Sequence, residues 1–195
     1  METTFHGLEF LTAPGRVFTP RATTEALVDA ALELIDRRPI RVADVGTGSG
    51  VIGVSIAVAA PEVEVYATDV SADAVALARA NASRHGVAER FHVFQGDLLG
   101  PVPSPVDVVV ANLPYLPEGE HRPEYDDEPP EAIYAPGDGL APLRRLVDIC
   151  EGGKLVMPGF VVVQYRGEVV EADCQHLQQL REDLDARRAA HPTAA

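Results

Sequence analysis

The chain has 195 residues, 46% apolar and 24% charged, the composition of one globular domain with a single full core. Its net charge of −14 argues against a polyanionic partner, because phosphate binding rests on clustered Lys and Arg and no basic run is present. A small molecule or a protein suits that charge better as substrate. The N-terminus METTFHGLEF has neither a basic leader nor a long apolar run, and no segment has the length to span a bilayer, so a cytoplasmic protein is expected. Cys150 and Cys174 lie far apart, with no C-x-x-C and no Cys/His array at ligand spacing, so reduced thiols and no metal are expected.

In chain order, residues 7–20 (GLEFLTAPGRVFTP) read as a hairpin turning at Pro14-Gly15. Residues 19–38 carry Leu27, Ala30, Ala31, Leu34 and Ile35 at helical spacing. Strands at 40–45, 63–68, 91–94 and 106–111 then alternate with helices at 50–60 and 72–85. A helix at 140–150, a strand at 160–165 and a long polar helix at 169–188 follow, with a frayed tail after it. Strands alternating with helices of this length imply a largely parallel, twisted sheet flanked by helices. The expected organisation is a single domain, with a hairpin at 1–20, a ligand-binding core at 40–165 and a C-terminal helix and tail at 166–195.

The first strand runs into VADVGTGSGVIG, which places Asp44, Gly46, Thr47, Gly48, Ser49 and Gly50 between a strand and a helix. Glycines there let the backbone turn tightly and approach a ligand, and the following helix N-terminus offers N–H donors. Asp69 ends the next strand, where a carboxylate can accept from both hydroxyls of a ribose. Gly48, Gly50 and Gly53 also satisfy the dinucleotide pattern G-x-G-x-x-G, so a nicotinamide cofactor is an alternative at this point.

Asp44 with its G-x-G-x-G core resembles motif I of the class I S-adenosyl-L-methionine methyltransferases, which have a Rossmann-like fold. In that resemblance QGDLL supplies Asp97 to an adenine amino group and Leu98 to the face of the base. Asn112, Leu113, Pro114 and Tyr115 then resemble the (N/D/S)-P-P-(Y/F/W) motif of amino-methyltransferases. Those enzymes methylate nitrogens conjugated to a π-system. The resemblance implies that the Asn112 side-chain carbonyl and the Leu113 backbone carbonyl accept the two N–H bonds of a planar nitrogen. Tyr115 would pack against the planar group, and catalysis would rest on positioning rather than on a strong base. Asn112 is thus expected to serve both the cofactor pocket and the acceptor.

The leading segment GLEFLTAPGRVFTPRATTEALV, the NLPY stretch and EPPEAIYAPGDGL together resemble the HemK/PrmC-type protein-(glutamine-N5) methyltransferases over about Phe5 to Gln164. That family implies methylation of a protein glutamine, in release factors the glutamine of a Gly-Gly-Gln tripeptide. Leu113 replaces the family's proline. The helical domain that precedes the core in bacterial members has no counterpart here, so a short form is expected. The two closing strands of the fold are not recognisable after Tyr165. A homodimer or a small partner subunit covering an incomplete sheet is therefore expected. Alternative acceptors are a small metabolite or a nucleic-acid base, and a non-catalytic relic that binds S-adenosyl-L-methionine is a third reading. The acidic loop 117–139 is expected to face the substrate.

Overall fold

The computed structural model describes residues 1–35, 40–103 and 105–191. A two-stranded ribbon, β1 (Glu2–Phe5) and β2 (Leu8–Leu11), leads into α1 (Glu25–Ile35). The core alternates β3 (Arg41–Val45), α2 (Val51–Ala59), β4 (Glu64–Asp69), α3 (Ala72–Arg84), β5 (Phe91–Gln95) and β6 (Val106–Ala111). After it come the two-residue strands β7 (Leu116–Pro117) and β8 (Tyr134–Ala135), then α4 (Ala141–Ile149), β9 (Leu155–Tyr165), β10 (Glu168–Asp173) and α5 (Leu177–Ala190). The main sheet has six strands in the order β10-β9-β6-β3-β4-β5, all parallel except β10. Strand order reverses between β3 and β6, the crevice where open α/β sheets hold ligands.

Both faces of the sheet are covered. On one side α1, α2, α3 and the ribbon bury Leu27, Val54, Ile56 and Ala78 with Phe5 and Phe10. On the other, α4 and α5 bury Leu143, Leu146, Leu180 and Leu184 against Val109, Val161 and Val163. Strands buried on both faces need continuous apolar runs, and Val108-Val109-Val110-Ala111 is one.

Three expectations need correction. The ribbon turns at His6 (φ 49) and Gly7 (φ 74), not at Pro14-Gly15. A two-residue loop with positive φ at both positions matches strand twist, whereas Gly15 sits in a separate turn in which Arg16 and Val17 N–H groups donate to the Ala13 carbonyl. At the other end, residues 169–188 are not one helix. Arg166 (φ 51) and Gly167 (φ 83) make a second such loop, so β10 returns antiparallel on β9 and supplies one of the closing strands. The helix starts later, after Asp173 accepts from Gln175 N at 2.8 Å and from His176 Nδ1 at 2.9 Å. Lastly, the tail is helical through Ala190, where Arg188 Nε donates to the Asp138 carbonyl at 2.8 Å. Residues 36–38 of the first expected helix and 192–195 of the tail lie outside the described residues.

One buried side chain joins ribbon, helix and glycine loop. Asn81 of α3 is 0% exposed. It accepts from Leu11 N at 2.8 Å and donates to the Leu11 carbonyl at 3.0 Å and the Ser49 carbonyl at 2.7 Å. Asn81→Ala leaves the buried Ser49 carbonyl and the part-buried Leu11 N–H and carbonyl without this partner. It is expected to cost about 2–4 kcal/mol in urea unfolding. An unchanged transition midpoint would contradict this role.

Candidate active site

The loops leaving β3, β4, β5 and β6 meet at the carboxyl edge of the sheet and enclose a cavity of about 280 Å³. In-register pairing of Val45 with both Thr68 and Ala111 brings three of those loops level. The glycine loop hangs on β4, where the Gly46 and Thr47 N–H groups both donate to the Thr68 carbonyl at 2.9 Å. Gly46, Gly48 and Gly50 take φ of +70, +55 and +84. The left-handed turns bring the backbone close to the cavity at a cost that only glycine avoids.

The structure separates the sequence-derived candidates into two groups. Gly46, Thr47, Gly48, Ser49, Asp69, Asp97, Leu98, Asn112, Leu113, Pro114 and Tyr115 all line the cavity. Asp44 and Gly50 are not on its wall. Asp44 is 0% exposed beneath the loop, accepting from Thr47 Oγ1 at 2.6 Å and Gly53 N at 2.9 Å. Burial raises its carboxyl to about 6 against those two hydrogen bonds and with repulsion from Asp69. Gly50 packs on α3, where an added Cβ would lie 3.1 Å from Ala78 Cα. Gly53 has a packing reason too: a Cβ there would sit 2.8 Å from both Asp44 Oδ2 and the Phe91 ring.

Asp69 accepts from Gly48 N and Ser71 N, each at 2.9 Å, and burial outweighs these donors in raising its pKa. A carboxylate has about four acceptor positions, so room is left for donors from a ligand. Asp97 pairs with Arg145 of α4. Leu98 stands beside it in the left-handed region at φ 46, 7% exposed, a strained backbone that turns the side chain onto the cavity wall. Acceptors at Asp69 and Asp97, an apolar wall at Leu98 and a close glycine backbone form a donor and acceptor set suited to a nucleoside.

The stretch after β6 is held from several sides. The Leu113 side chain lies on the glycine loop, where a Cβ on Gly46 would meet Leu113 Cδ2 at 2.8 Å. That packing accounts for a large aliphatic residue where a proline was expected. The Tyr115 ring meets Tyr165 edge-on, with centroids 5.3 Å apart. Burial pushes the Tyr115 phenol up to about 12, so it stays protonated and offers a donor rather than a base. Gly139 (φ +90) packs so tightly that an added Cβ would sit 2.2 Å from the Tyr115 carbonyl oxygen. The Asn112 amide donates to Thr24 Oγ1 at 3.2 Å.

The acidic segment is folded against this site. β7 and β8 pair, and Tyr125, Pro129, Glu131, Ala132 and Ile133 form part of the cavity wall. Glu128 accepts from Thr19 N at 2.9 Å, and the Arg21 guanidinium lies 4.5 Å from the Tyr125 ring centroid. Glu120 joins Arg122 and Arg166. His121 pairs with Asp126 on the exposed side and does not reach the cavity. Thr24, Glu128 and Gly139 fall within the quoted motif segments but received no role from the sequence, and Asn81 and Gln164 were passed over. The last two also left a signal: Asn81 falls in the apolar stripe of Ala74, Ala78 and Ala82, and Gln164 interrupts an apolar strand. Among the described residues no group of His, Cys, Asp and Glu could hold a metal ion, and no helix is long and apolar enough to cross a membrane.

The raised Asp44 pKa has a defined consequence for stability. The folded chain holds that proton more tightly than the unfolded chain does. Its stabilising contribution is therefore complete below about pH 4 and is lost as pH rises through about 6. Asp44→Asn removes the titration, so the stability of wild type relative to the variant should fall between about pH 4 and pH 7 in urea unfolding. A flat difference across that range would contradict it.

Residues 8–125 match the family described as the methyltransferase small domain. Among curated proteins, the release factor glutamine methyltransferase of Deinococcus radiodurans is 40% identical over 154 residues, 76% of this chain and 54% of that protein. The one from Nitratidesulfovibrio vulgaris is 34% identical over 182 residues, 90% of this chain and 61% of that protein. The chain thus spans a little over half the length of these relatives. Among solved structures, the ribosomal protein L11 methylase of Lactobacillus delbrueckii subsp. bulgaricus aligns over 89% of this chain and 72% of its own, with a TM-score of 0.57 and 24% identity. The T. thermophilus 16S rRNA N2 G1207 methyltransferase aligns over 84% of this chain and 40% of its own, at a TM-score of 0.61 and 16% identity. Both likenesses show the fold. The glycine loop and the strands that carry it lie within the matched residues, and the chain belongs to the methyltransferase small domain family.

Proposed function

We propose that the protein is an S-adenosyl-L-methionine-dependent N-methyltransferase acting on the side-chain amide of a protein glutamine, of the release-factor type. The observation that carries this reading is the Asn112-Leu113-Pro114-Tyr115 stretch on the wall of the same cavity as the glycine loop, Asp69, Asp97 and Leu98. Support for the acceptor comes from the two curated relatives named above. The net charge of −14 disfavours a nucleic-acid acceptor.

In this reading Asp69 receives the ribose hydroxyls, Asp97 the adenine amino group and Leu98 the base, with Gly46 to Ser49 against the amino-acid part. Bound S-adenosyl-L-methionine supplies an electrophilic sulfonium methyl group. Asn112 Oδ1 and the Leu113 carbonyl accept the two N–H bonds of the glutamine amide. They hold its nitrogen facing the cofactor subsite in a pre-arranged field of dipoles. The amide nitrogen would gain the methyl carbon as the sulfonium S–CH3 bond breaks to leave a neutral thioether, and its displaced N–H proton would pass to solvent. Tyr115, protonated and half-buried, packs on the amide plane.

Oligomeric state belongs to the same proposal. β10 is the last strand of the sheet, so a second copy or a small partner subunit would pair there, next to Glu168, Glu171 and Asp173.

The test is incubation with radiolabelled-methyl cofactor and a bacterial release factor, wild type or with its Gly-Gly-Gln glutamine replaced. Label is expected only in the wild-type factor, and Asn112→Ala is expected to abolish it while cofactor binding, read by calorimetry, is weakened but still measurable. Absence of label with cofactor bound would overturn the acceptor assignment.

A further inference from the structure

The side chain of Asn112 presents either an acceptor or a donor to the cavity, depending on which way its amide is turned. A buried chain of hydrogen bonds decides this. Thr23 offers a backbone carbonyl, which only accepts, so Gln164 turns its Nε2 donor toward it at 2.7 Å. Gln164 Oε1 therefore faces Thr24 and accepts the hydroxyl proton at 2.9 Å. With its one proton committed, Thr24 Oγ1 accepts from Asn112 Nδ2 at 3.2 Å. Asn112 Oδ1 is left directed at the cavity that all four residues line.

Reversing any member would set two acceptors or two donors against each other. Water gives little relief at the centre of the chain, where Thr24 is 4% and Gln164 2% exposed, although Asn112 at its cavity end is half-buried. A buried polar group without a partner costs far more than an exposed one, so the whole chain has one low-energy polarity.

We propose that Gln164 and Thr24 are positioning residues that fix Asn112 as an acceptor toward the cavity. They thereby favour a methyl-accepting atom that carries a hydrogen to donate, as an amide nitrogen does. The proposal rests on the methyl-transfer reading above. Both stand on the cavity wall, and the effect proposed for them is exerted through the hydrogen bond to Asn112.

The test uses the full chain as wild type, Thr24→Val and Thr24→Ser. Valine is close to threonine in shape but neither donates nor accepts, while serine keeps the hydroxyl. Cofactor affinity by calorimetry reports an intact pocket, and kcat and KM are measured on the release factor. In isotope-labelled wild type, Overhauser contacts are sought from the Asn112 side-chain NH2, assigned with Asn112→Asp, to the Thr24 methyl and β protons. The expected result is a fall in kcat of about tenfold or more for Thr24→Val at unchanged cofactor affinity, with most of it restored by Thr24→Ser. Gln164→Leu should act in the same direction. A kcat for Thr24→Val within about twofold of wild type, or a Thr24→Ser as slow as Thr24→Val, overturns the proposal. If wild type itself transfers no methyl group, the functional reading falls, and the Overhauser contact alone decides. Its presence upholds the fixed orientation, and its absence overturns it.

Discussion

The site depends on how a three-glycine turn is held between β3 and α2. Left-handed backbone at Gly46, Gly48 and Gly50 keeps these N–H groups out of any helix or ladder of their own. The structure satisfies them one by one. The Thr68 carbonyl takes Gly46 and Thr47, the Asp69 carboxylate takes Gly48, and the Thr47 carbonyl takes Gly50. Asp44 locks the turn from beneath by joining Thr47 to the first turn of α2 through Gly53. Burying a carboxylate there is unfavourable, as its raised pKa records. Its position under the loop, away from the cavity wall, marks it as a support for the backbone that faces the ligand.

The second half of the site is assembled from segments remote in sequence. Leu113 reaches back to Gly46, Tyr115 packs on Tyr165, and the Tyr115 carbonyl needs the bare backbone of Gly139. Asp138 accepts both guanidinium nitrogens of Arg144 at 2.9 and 2.7 Å, and Arg144 also reaches Asp185 of α5. The C-terminal helix is thereby coupled to the stretch that follows β6. The acidic segment spans the gap, pinned by Glu128 to the chain before α1 and by Glu120 to Arg166 at the β9–β10 turn. Its negative charge is thus partly neutralised by internal cations, which accounts for a folded cavity wall in so acidic a segment.

Legibility in the sequence followed the range of the interaction. Strands 40–45, 63–68 and 106–111 were readable because buried parallel strands are mostly apolar, even with Arg41, Asp44, Glu64 and Asp107 among them. The glycine loop was readable because its chemistry is local. At the C-terminus, Arg166-Gly167 is a hairpin signal of two residues, and the polar residues after it resemble a surface helix, so β10 was missed. The His6-Gly7 turn was missed in favour of Pro14-Gly15, a stronger composition signal at a place where no strand pairing follows.

The sequence by itself determined the alternating α/β order, the strand-end acids and the Asn-Leu-Pro-Tyr stretch, since each is written in consecutive residues. Only tertiary structure decided that Asp44 lies under the loop while Asp69 and Asp97 stand on the wall. It alone set Thr24 and Gln164 behind Asn112, although 88 residues separate Thr24 from Asn112. The reason is physical. Hydrogen-bond polarity passes between side chains in space, and neither propensity nor periodicity along the chain encodes which distant donor will face which acceptor.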